Sequence, residues 1–267
     1  MSVSNSTEEK YILCIKTVQS SNIKTLFEVL KEVLLGDVNI IFTPTNVKIA
    51  EMNDSKIAMV YLNLQSEAFE QYYCEREINV GINTTNFYKI IKIAKNSDTV
   101  SFYIERKREG VIGVKMENRD DNRVFESKVP LLDINAPIFD IPSLEYPMVI
   151  SLPSSKFQKY IKDLNSLGTD CKLDIVSVGQ QLTMTCRGDF SENKAVFGKS
   201  EDTGFAGQDS YEVIQGTFPL KFLILFTKAT SLCQTVQIYM KNDFSLILEY
   251  CVGSLGSLRF ILSPVDD

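Results

Sequence analysis

The sequence predicts an α+β fold in which two β-rich domains of similar plan each carry two helices. Three observations predict it. Short segments with period-two alternation or β-branched enrichment fill most of the 267 residues, as antiparallel strands require. Four stretches with helical periodicity interrupt them, at residues 21–35, 84–96, 154–167 and 219–232. The order strand, helix, strands, helix, strand occurs once in each half, beneath weak sequence identity.

In the first half, residues 10–17 alternate as a strand and lead to Ser20-Ser21, which read as the N-cap of the first helix. Strands follow at 38–42, 46–51 and 58–63. Glu67, Glu70, Glu75 and Glu77 then cluster with Arg76 around Tyr72-Tyr73-Cys74, the composition of a surface hairpin laced with ion pairs. The second helix runs directly into a strand at 99–105. Arg106-Lys107-Arg108-Glu109-Gly110 reads as the hairpin tip before a strand at 111–117, and Asp120-Asp121 as a polar turn.

Residues 131–147 form the boundary. Pro137, Pro142 and Pro147 deny this stretch a continuous helix or central strand. Leu131, Leu132, Ile134, Ile138, Phe139 and Ile141 make it too apolar for a free linker, so it is expected to lie against a domain surface and to leave apolar area for a partner. Domains are therefore expected at 11–130 and 148–267, with an extension at 1–10. The second half repeats the plan with strands at 148–152, 172–178, 182–187, 235–241, 245–252 and 258–263, and with Ser154-Ser155 as the helix cap.

Composition narrows the function. A 44% hydrophobic content fills two cores, and 23% charged residues describe a globular protein expected to stay inside the cell. No apolar run approaches the roughly 18–20 residues of a membrane span, and residues 2–10 lack the order of a signal peptide. Six scattered cysteines without a CxxC pair read mostly as buried reduced thiols. Histidine is absent, which removes the commonest general base and every His-containing zinc site. No phosphate-binding glycine loop is present, no cofactor is implied, and no acid cluster has spacing that demands catalysis.

Charge supplies the positive signal. The four helical stretches hold Lys24, Lys31, Lys89, Lys92, Lys95, Lys156, Lys159, Lys162, Lys221 and Lys228 against Glu28, Glu32 and Asp163, a local charge of +7. With 28 Lys+Arg and 34 Asp+Glu overall, the rest of the chain carries −13. Lysines seven apart return to one helical face, and those three apart form slowly drifting rows, opposite apolar residues such as Ile90, Ile91 and Ala94. Such segregation suggests one basic surface that meets a polyanion. Flexible ammonium groups suit sequence-independent phosphate contact. The absence of Trp, and of aromatics within the lysine rows, favours duplex backbone over stacked single strands.

Several segments carry a resemblance. Residues 220–230 (Leu-Lys-Phe-Leu-Ile-Leu-Phe-Thr-Lys-Ala-Thr), 246–250 (Leu-Ile-Leu-Glu-Tyr) and 258–264 are similar to the sliding-clamp family of eukaryotic type, proliferating cell nuclear antigen. So are Ser66-Glu67-Ala68-Phe69 with Tyr73-Cys74-Glu75-Arg76, and Gly81-Ile82-Asn83 leading through Lys89-Ile90-Ile91-Lys92 to Asn96-Ser97-Asp98. The likeness runs from about residue 11 to 264.

It implies a non-enzymatic ring of two-domain subunits, a homotrimer whose lysine-bearing helices line a hole for double-stranded DNA, with sheets outside. Such a processivity factor is loaded by a clamp loader and recruits DNA polymerase and other replication and repair clients through short motifs. Lys24, Lys31, Lys89, Lys92, Lys159, Lys162, Lys221 and Lys228 fall at the family's basic inner positions, with Lys95 and Lys156 added by the pattern in this chain. Met52, Met59, Phe139, Ile141, Pro142, Ile261 and Pro264 match its client pocket, and residues 263–265 would add backbone contacts.

Lys56 stands where the family commonly has histidine, and Ser245 where it has proline at the pocket rim. Edge strands near residues 125–129 and 194–199 are expected to make the subunit contacts. A subunit of a heterotrimeric checkpoint-type or archaeal-type clamp and a monomeric viral processivity factor are alternatives on the same fold. An enzyme using lysine or carboxylate chemistry stands furthest off. The nucleus is the expected compartment for a eukaryotic protein, and the cytoplasm or a viral replication site otherwise.

Overall fold

Strand β1 (Tyr11–Thr17) feeds helix α1 (Ser20–Val33), followed by β2 (Asp37–Phe42), β3 (Asn46–Met52), β4 (Ala58–Gln65), β5 (Gln71–Cys74) and β6 (Ile78–Asn83). Helix α2 (Thr84–Ile91) then enters β7 (Thr99–Glu105), β8 (Val111–Asn118) and β9 (Arg123–Pro130). The second half runs β10 (Met148–Pro153), α3 (Ser154–Asn165), β11 (Lys172–Val178), β12 (Gln181–Arg187), β13 (Glu192–Gly198), β14 (Gly204–Ala206) and β15 (Val213–Pro219). It closes with α4 (Leu220–Phe226), a 3-10 turn at Thr227–Ser231, β16 (Thr235–Met240), β17 (Leu246–Val252) and β18 (Gly256–Leu262). This computed structural model describes residues 8–135, 145–166, 171–188, 191–207 and 212–265.

The chain divides into two units, Met1–Glu51 with Leu62–Phe139 and Val252–Ser257, and Met52–Tyr61 with Asp140–Cys251 and Leu258–Asp267. In the first, strands lie in the orders β5-β1-β7-β8-β9 and β4-β3-β2-β6. In the second the orders are β14-β10-β16-β17-β18 and β13-β12-β11-β15. Every ladder with a described register is antiparallel. The two halves correspond strand for strand, since β1 with α1 and β10 with α3 each open a unit. Likewise β6-α2-β7 and β15-α4-β16 carry the second helix. The repeat and the α+β class read from the sequence are thus the architecture.

Each core sits where the apolar helix faces meet a sheet. In the first unit Phe27 of α1 lies 5.0 Å from Phe87 of α2, and Phe87 lies 6.1 Å from Phe102 of β7. In the second, Phe226 of α4 stacks on Phe260 of β18 at 4.5 Å, with Tyr250 edge-on at 5.9 Å. Burying each such ring contributes about 1.5–3 kcal/mol, which commits the opposite, lysine-bearing stripe of each helix to the outside.

Several local expectations change. The helices are shorter than the periodicity suggested. α2 ends at Ile91, because Ile93 and Ala94 donate to the carbonyls of Ile90 and Ile91 in tighter turns. The Asp98 carboxylate then takes the Lys95 N–H at 2.9 Å. The predicted helix at 219–232 is α-helical only through Phe226. Beyond it the hydroxyls of Thr227 and Thr230 bond back to the carbonyls of Ile224 (2.8 Å) and Thr227 (2.7 Å), which accompanies the change to 3-10 geometry.

The serines do not cap their helices. Gln19 and Pro153 occupy the N-cap positions, neither with a side-chain cap bond. Ser20 instead donates to the carbonyls of Lys95 and Asn96, at 2.9 and 3.0 Å, because packing of α1 beside the exit of α2 offers those acceptors. Asn83 is a genuine cap, accepting from the Asn86 N–H at 3.0 Å. The acid-rich hairpin is laced outward rather than internally. Arg76 pairs with Glu109 at 2.8 Å and Glu75 with Arg106 at 3.0 Å, both on the β7–β8 tip. All six cysteines are free, but only Cys74, Cys171 and Cys186 are buried.

Candidate nucleic-acid interface and client groove

In the first unit α1 and α2 pack side by side. Ile23, Leu26, Phe27 and Leu30 face inward from α1, with Phe87 and Ile91 from α2. Lys24 and Lys31 are half-buried by their stems, while Lys89, Lys92 and Lys95 are exposed. Lys31 bonds Glu32 at 2.8 Å and sits 4.7 Å from the Tyr88 ring centroid, tying α1 to α2. The hydrogen bond to Glu32 raises its pKa. Lys89 donates to Asn86 at 3.0 Å. Among the described residues Lys24 and Lys92 pair with no acid. Beside Glu28 stands Tyr88, whose hydroxyl is pushed up first by burial and then by that carboxylate.

Lys95 is the exception in this row. It lies beyond the end of α2, and its ammonium meets Asp121 at 2.6 Å. The turn that carries it is built on Asp98, which is buried. One Asp98 oxygen accepts from Asn118 Nδ2 at 2.9 Å, the other from the Lys95 N–H, and Arg123 completes an ion pair. Burial opposes ionisation of Asp98, but the Asn118, Lys95 and Arg123 bonds outweigh it and hold the carboxyl below its usual range.

The second unit repeats the display. Phe157, Ile161 and Leu164 of α3 and Leu220, Leu223 and Phe226 of α4 face the core. Gln158 donates to the Thr227 carbonyl at 2.7 Å, which ties α3 to the end of α4. Lys159, Lys162, Lys221 and Lys228 are exposed. Lys156 is half-buried and pairs with Asp202 at 3.2 Å. Among the described residues, Lys159, Lys162 and Lys221 meet no acid. Each unit thus presents a helix pair whose free charge is positive, which suits weak contact with phosphates and leaves the duplex able to move.

The four client-pocket residues that are described all lie in the second unit. Met52 ends β3 half-buried, Met59 is buried in β4, Ile261 is half-buried in β18 and Pro264 is exposed. Asn53 shapes the intervening turn, its Oδ1 accepting from the N–H groups of Ile57 and Ala58, both at 2.9 Å. Lys56 stands at that turn with φ +56°, exposed. The carboxyl-terminal segment is fixed on both sides. Ser263 N–H donates to Ile57 C=O, and Val265 N–H to Thr217 C=O, each at 2.9 Å. Beside it opens a cleft of about 520 Å³ whose lining includes Gln215, Thr217, Phe244, Pro264 and Val265. Phe244 is exposed, with Lys241 Nζ 4.2 Å from its ring centroid. Sequence periodicity did not single out Phe244; its place beside Ser245 at the expected pocket rim was the available signal. Phe139, Ile141 and Pro142 lie outside the described residues.

The start of the connector is described and lies against the first unit. Leu131 and Leu132 N–H groups donate to the carbonyls of Gly110 (3.0 Å) and Gly81 (2.9 Å), and Asn39 donates to Ile134 C=O at 3.0 Å. Only glycine fits at 81, because a Cβ there would stand 2.2 Å from the Leu132 carbonyl oxygen. Gly81→Ala is expected to cost about 1–3 kcal/mol and to speed hydrogen exchange at the Leu132 amide. Unchanged protection at that amide would show that the connector does not rely on this approach.

Among the described residues no group of three or more His, Cys, Asp or Glu is placed to hold a metal ion, and no helix is long and apolar enough to cross a membrane. Two related units, each backing a pair of basic helices with antiparallel sheets, define the class: a two-domain DNA-clamp fold. Family models described as the N-terminal and C-terminal domains of proliferating cell nuclear antigen match residues 12–138 and 140–265. The chain belongs to the proliferating cell nuclear antigen family.

It is 32% identical over 262 residues to a probable DNA polymerase sliding clamp of Paramecium bursaria Chlorella virus 1, covering 97% of this chain and 98% of that one. It is 29% identical over 251 residues to the proliferating cell nuclear antigen of Chaetomium thermophilum, covering 92% and 95%. The crystal structure of the Entamoeba histolytica protein of that name superposes with a TM-score of 0.85 at 23% identity, over 96% of this chain and all of that one, which shows the fold.

Proposed function

We propose that this chain is a DNA sliding clamp, a processivity factor and scaffold rather than a catalyst. The observation that carries the reading is the repeated helix pair. Across an acidic protein of net charge −6, the exposed, acid-free lysines of these helices recur in both units on the side away from the core. Family membership adds a ring-forming partner set of duplex DNA and DNA polymerase. Three copies would close the ring, a clamp loader would open it, and clients would dock by short apolar motifs on Met52, Met59, Ile261 and Pro264, with Phe139, Ile141 and Pro142 from the connector. The acidic remainder limits adhesion to DNA elsewhere on the surface.

Molar mass in solution tests the assembly. Light scattering should return three times the 30.2 kDa of one chain, converting to monomer on dilution without unfolding. A mass of 30.2 kDa at every concentration would refute the homotrimer.

A further inference from the structure

Cys233 and Cys251 meet on the outer face of one sheet of the second unit. β16 and β17 pair antiparallel, with Val236 opposite Tyr250 and Gln237 opposite Glu249. Continuing that ladder by one residue sets Cys251 beside Thr235, the first residue of β16. Val236 and Tyr250 are buried, so the alternate positions Thr235 and Cys251 face outward. Cys233 lies two residues before Thr235, and its thiol turns back along the chain to donate to the Thr235 carbonyl at 2.9 Å. That bond carries the sulfur toward the position that Cys251 faces.

Two further observations single out the pair. Of the six thiols only Cys251 is exposed, and Cys233 is half-buried. Burial is the first cause that raises the Cys251 thiol; the Cys233 thiol follows, through its charge and a side-chain hydrogen bond, and Glu249 adds to it. Cys171 and Cys186 are the contrast. Cys186 stands opposite Leu173, with Cys171 two residues before it, and burial and then a hydrogen bond to Cys171 raise the Cys186 thiol. Both of these are buried, which denies a small oxidant the first attack.

We infer that Cys233 and Cys251 form a reversible dithiol–disulfide site, oxidised by low-molecular-weight disulfides of the glutathione class. This goes beyond the clamp reading and does not depend on it. Cys251, the accessible thiol, gives its proton to solvent, and its sulfur attacks one sulfur of glutathione disulfide. The S–S bond of the reagent breaks, one glutathione leaves as a thiolate and takes up a proton, and Cys251 is held in a mixed disulfide. Cys233 then loses its proton and attacks the Cys251 sulfur. The protein S–S bond forms as the second glutathione leaves in the same way. Two protein thiols lose two electrons in total, and one glutathione disulfide becomes two glutathione thiols. Excess reduced glutathione runs the sequence backwards.

The bond ties the residue that follows the 3-10 turn at Thr227–Ser231 to the end of β17. It closes the chain between them into a loop that the unfolded state must keep, so oxidation stabilises the unit.

The full, folded chain with all cysteines reduced is incubated with glutathione disulfide at about pH 8.5, where thiolate is available, and read by intact mass and by peptide mapping without reduction. The parent should lose two hydrogens, yield a peptide cross-linked through Cys233 and Cys251, and return to its starting mass in excess reduced glutathione. Its melting temperature should rise, by about 5 °C. Cys233→Ser should stop with one glutathione on Cys251, because the resolving thiol is gone. Cys251→Ser should take up glutathione at Cys233 at least about tenfold more slowly than Cys233→Ser does at Cys251. Circular dichroism checks that each variant is folded, and the parent's peptide map decides if one is not.

A glutathione that stays on Cys251 of the parent, a link between Cys251 thiols of two copies, or a link at Cys171 and Cys186 instead would overturn the assignment. So would a link through Cys233 and Cys251 that fails to raise the melting temperature, because the thiols would then meet only when the sheet is distorted. None of these results bears on ring formation or DNA binding, so the clamp reading stands or falls separately.

Discussion

Replacing Lys92, Lys159, Lys162 and Lys221 together by alanine is expected to cut affinity for a linear duplex by about tenfold or more at low salt. It should also flatten the salt dependence by about 0.9 in log–log slope for each phosphate that is no longer neutralised. These four are exposed and meet no acid among the described residues, so their charge is available to DNA. Alanine is the best helix former, and the apolar faces built on Phe157, Leu223 and Ile91 are untouched, so the melting temperature should hold. Fluorescence anisotropy across a salt series gives both numbers. Lys95→Ala is the internal contrast. Its ammonium already sits 2.6 Å from Asp121, so its removal should change the slope less than removal of Lys92. Equal effects would mean that Asp121 releases Lys95 when DNA arrives.

Asp98→Ala is expected to destabilise the protein by about 1–3 kcal/mol, the cost of leaving buried hydrogen-bond donors without an acceptor. Asp98 is buried, and its loss strands the Asn118 amide, the Lys95 N–H and the Arg123 guanidinium together. This carboxylate holds both the turn after α2 and the start of β9.

The pH dependence has a definite sign. The folded carboxyl titrates below its unfolded value of 3.8, so its contribution is fully present above that pH and disappears as pH falls through the folded value. Asp98→Asn should therefore be less stable than the parent at pH 7, with the gap narrowing below about pH 4. Urea unfolding at both values measures this. A gap that is constant with pH would mean the carboxylate charge is not what matters.

Much of this was legible in the chain. Apolar residues three and four apart placed all four helices, and period-two alternation placed most of the strands, because both patterns report a single buried face. The lysine bias was readable for the same reason, since residues excluded from the core gather on the opposite stripe.

What the sequence withheld is tertiary. Lys95 and Lys156 belong to the rows by spacing, yet their partners Asp121 and Asp202 lie far along the chain and are brought near by turns. Ser20 looked like a cap, but a hydroxyl chooses its acceptor by what packs beside it, and α2 supplied two carbonyls. Gly81 carried no local signal, because its need for a bare Cα comes from Leu132, which approaches from the connector.

Encirclement is the central claim, and it makes a topological prediction that surface binding does not. The protein should be assembled by a clamp loader on a singly nicked plasmid, washed in high salt, and then the plasmid cut once with a restriction enzyme. A ring stays on the intact circle after salt has screened its lysine contacts and runs off when an end is made. Loss from the uncut circle in high salt, or retention on the cut one, would contradict it.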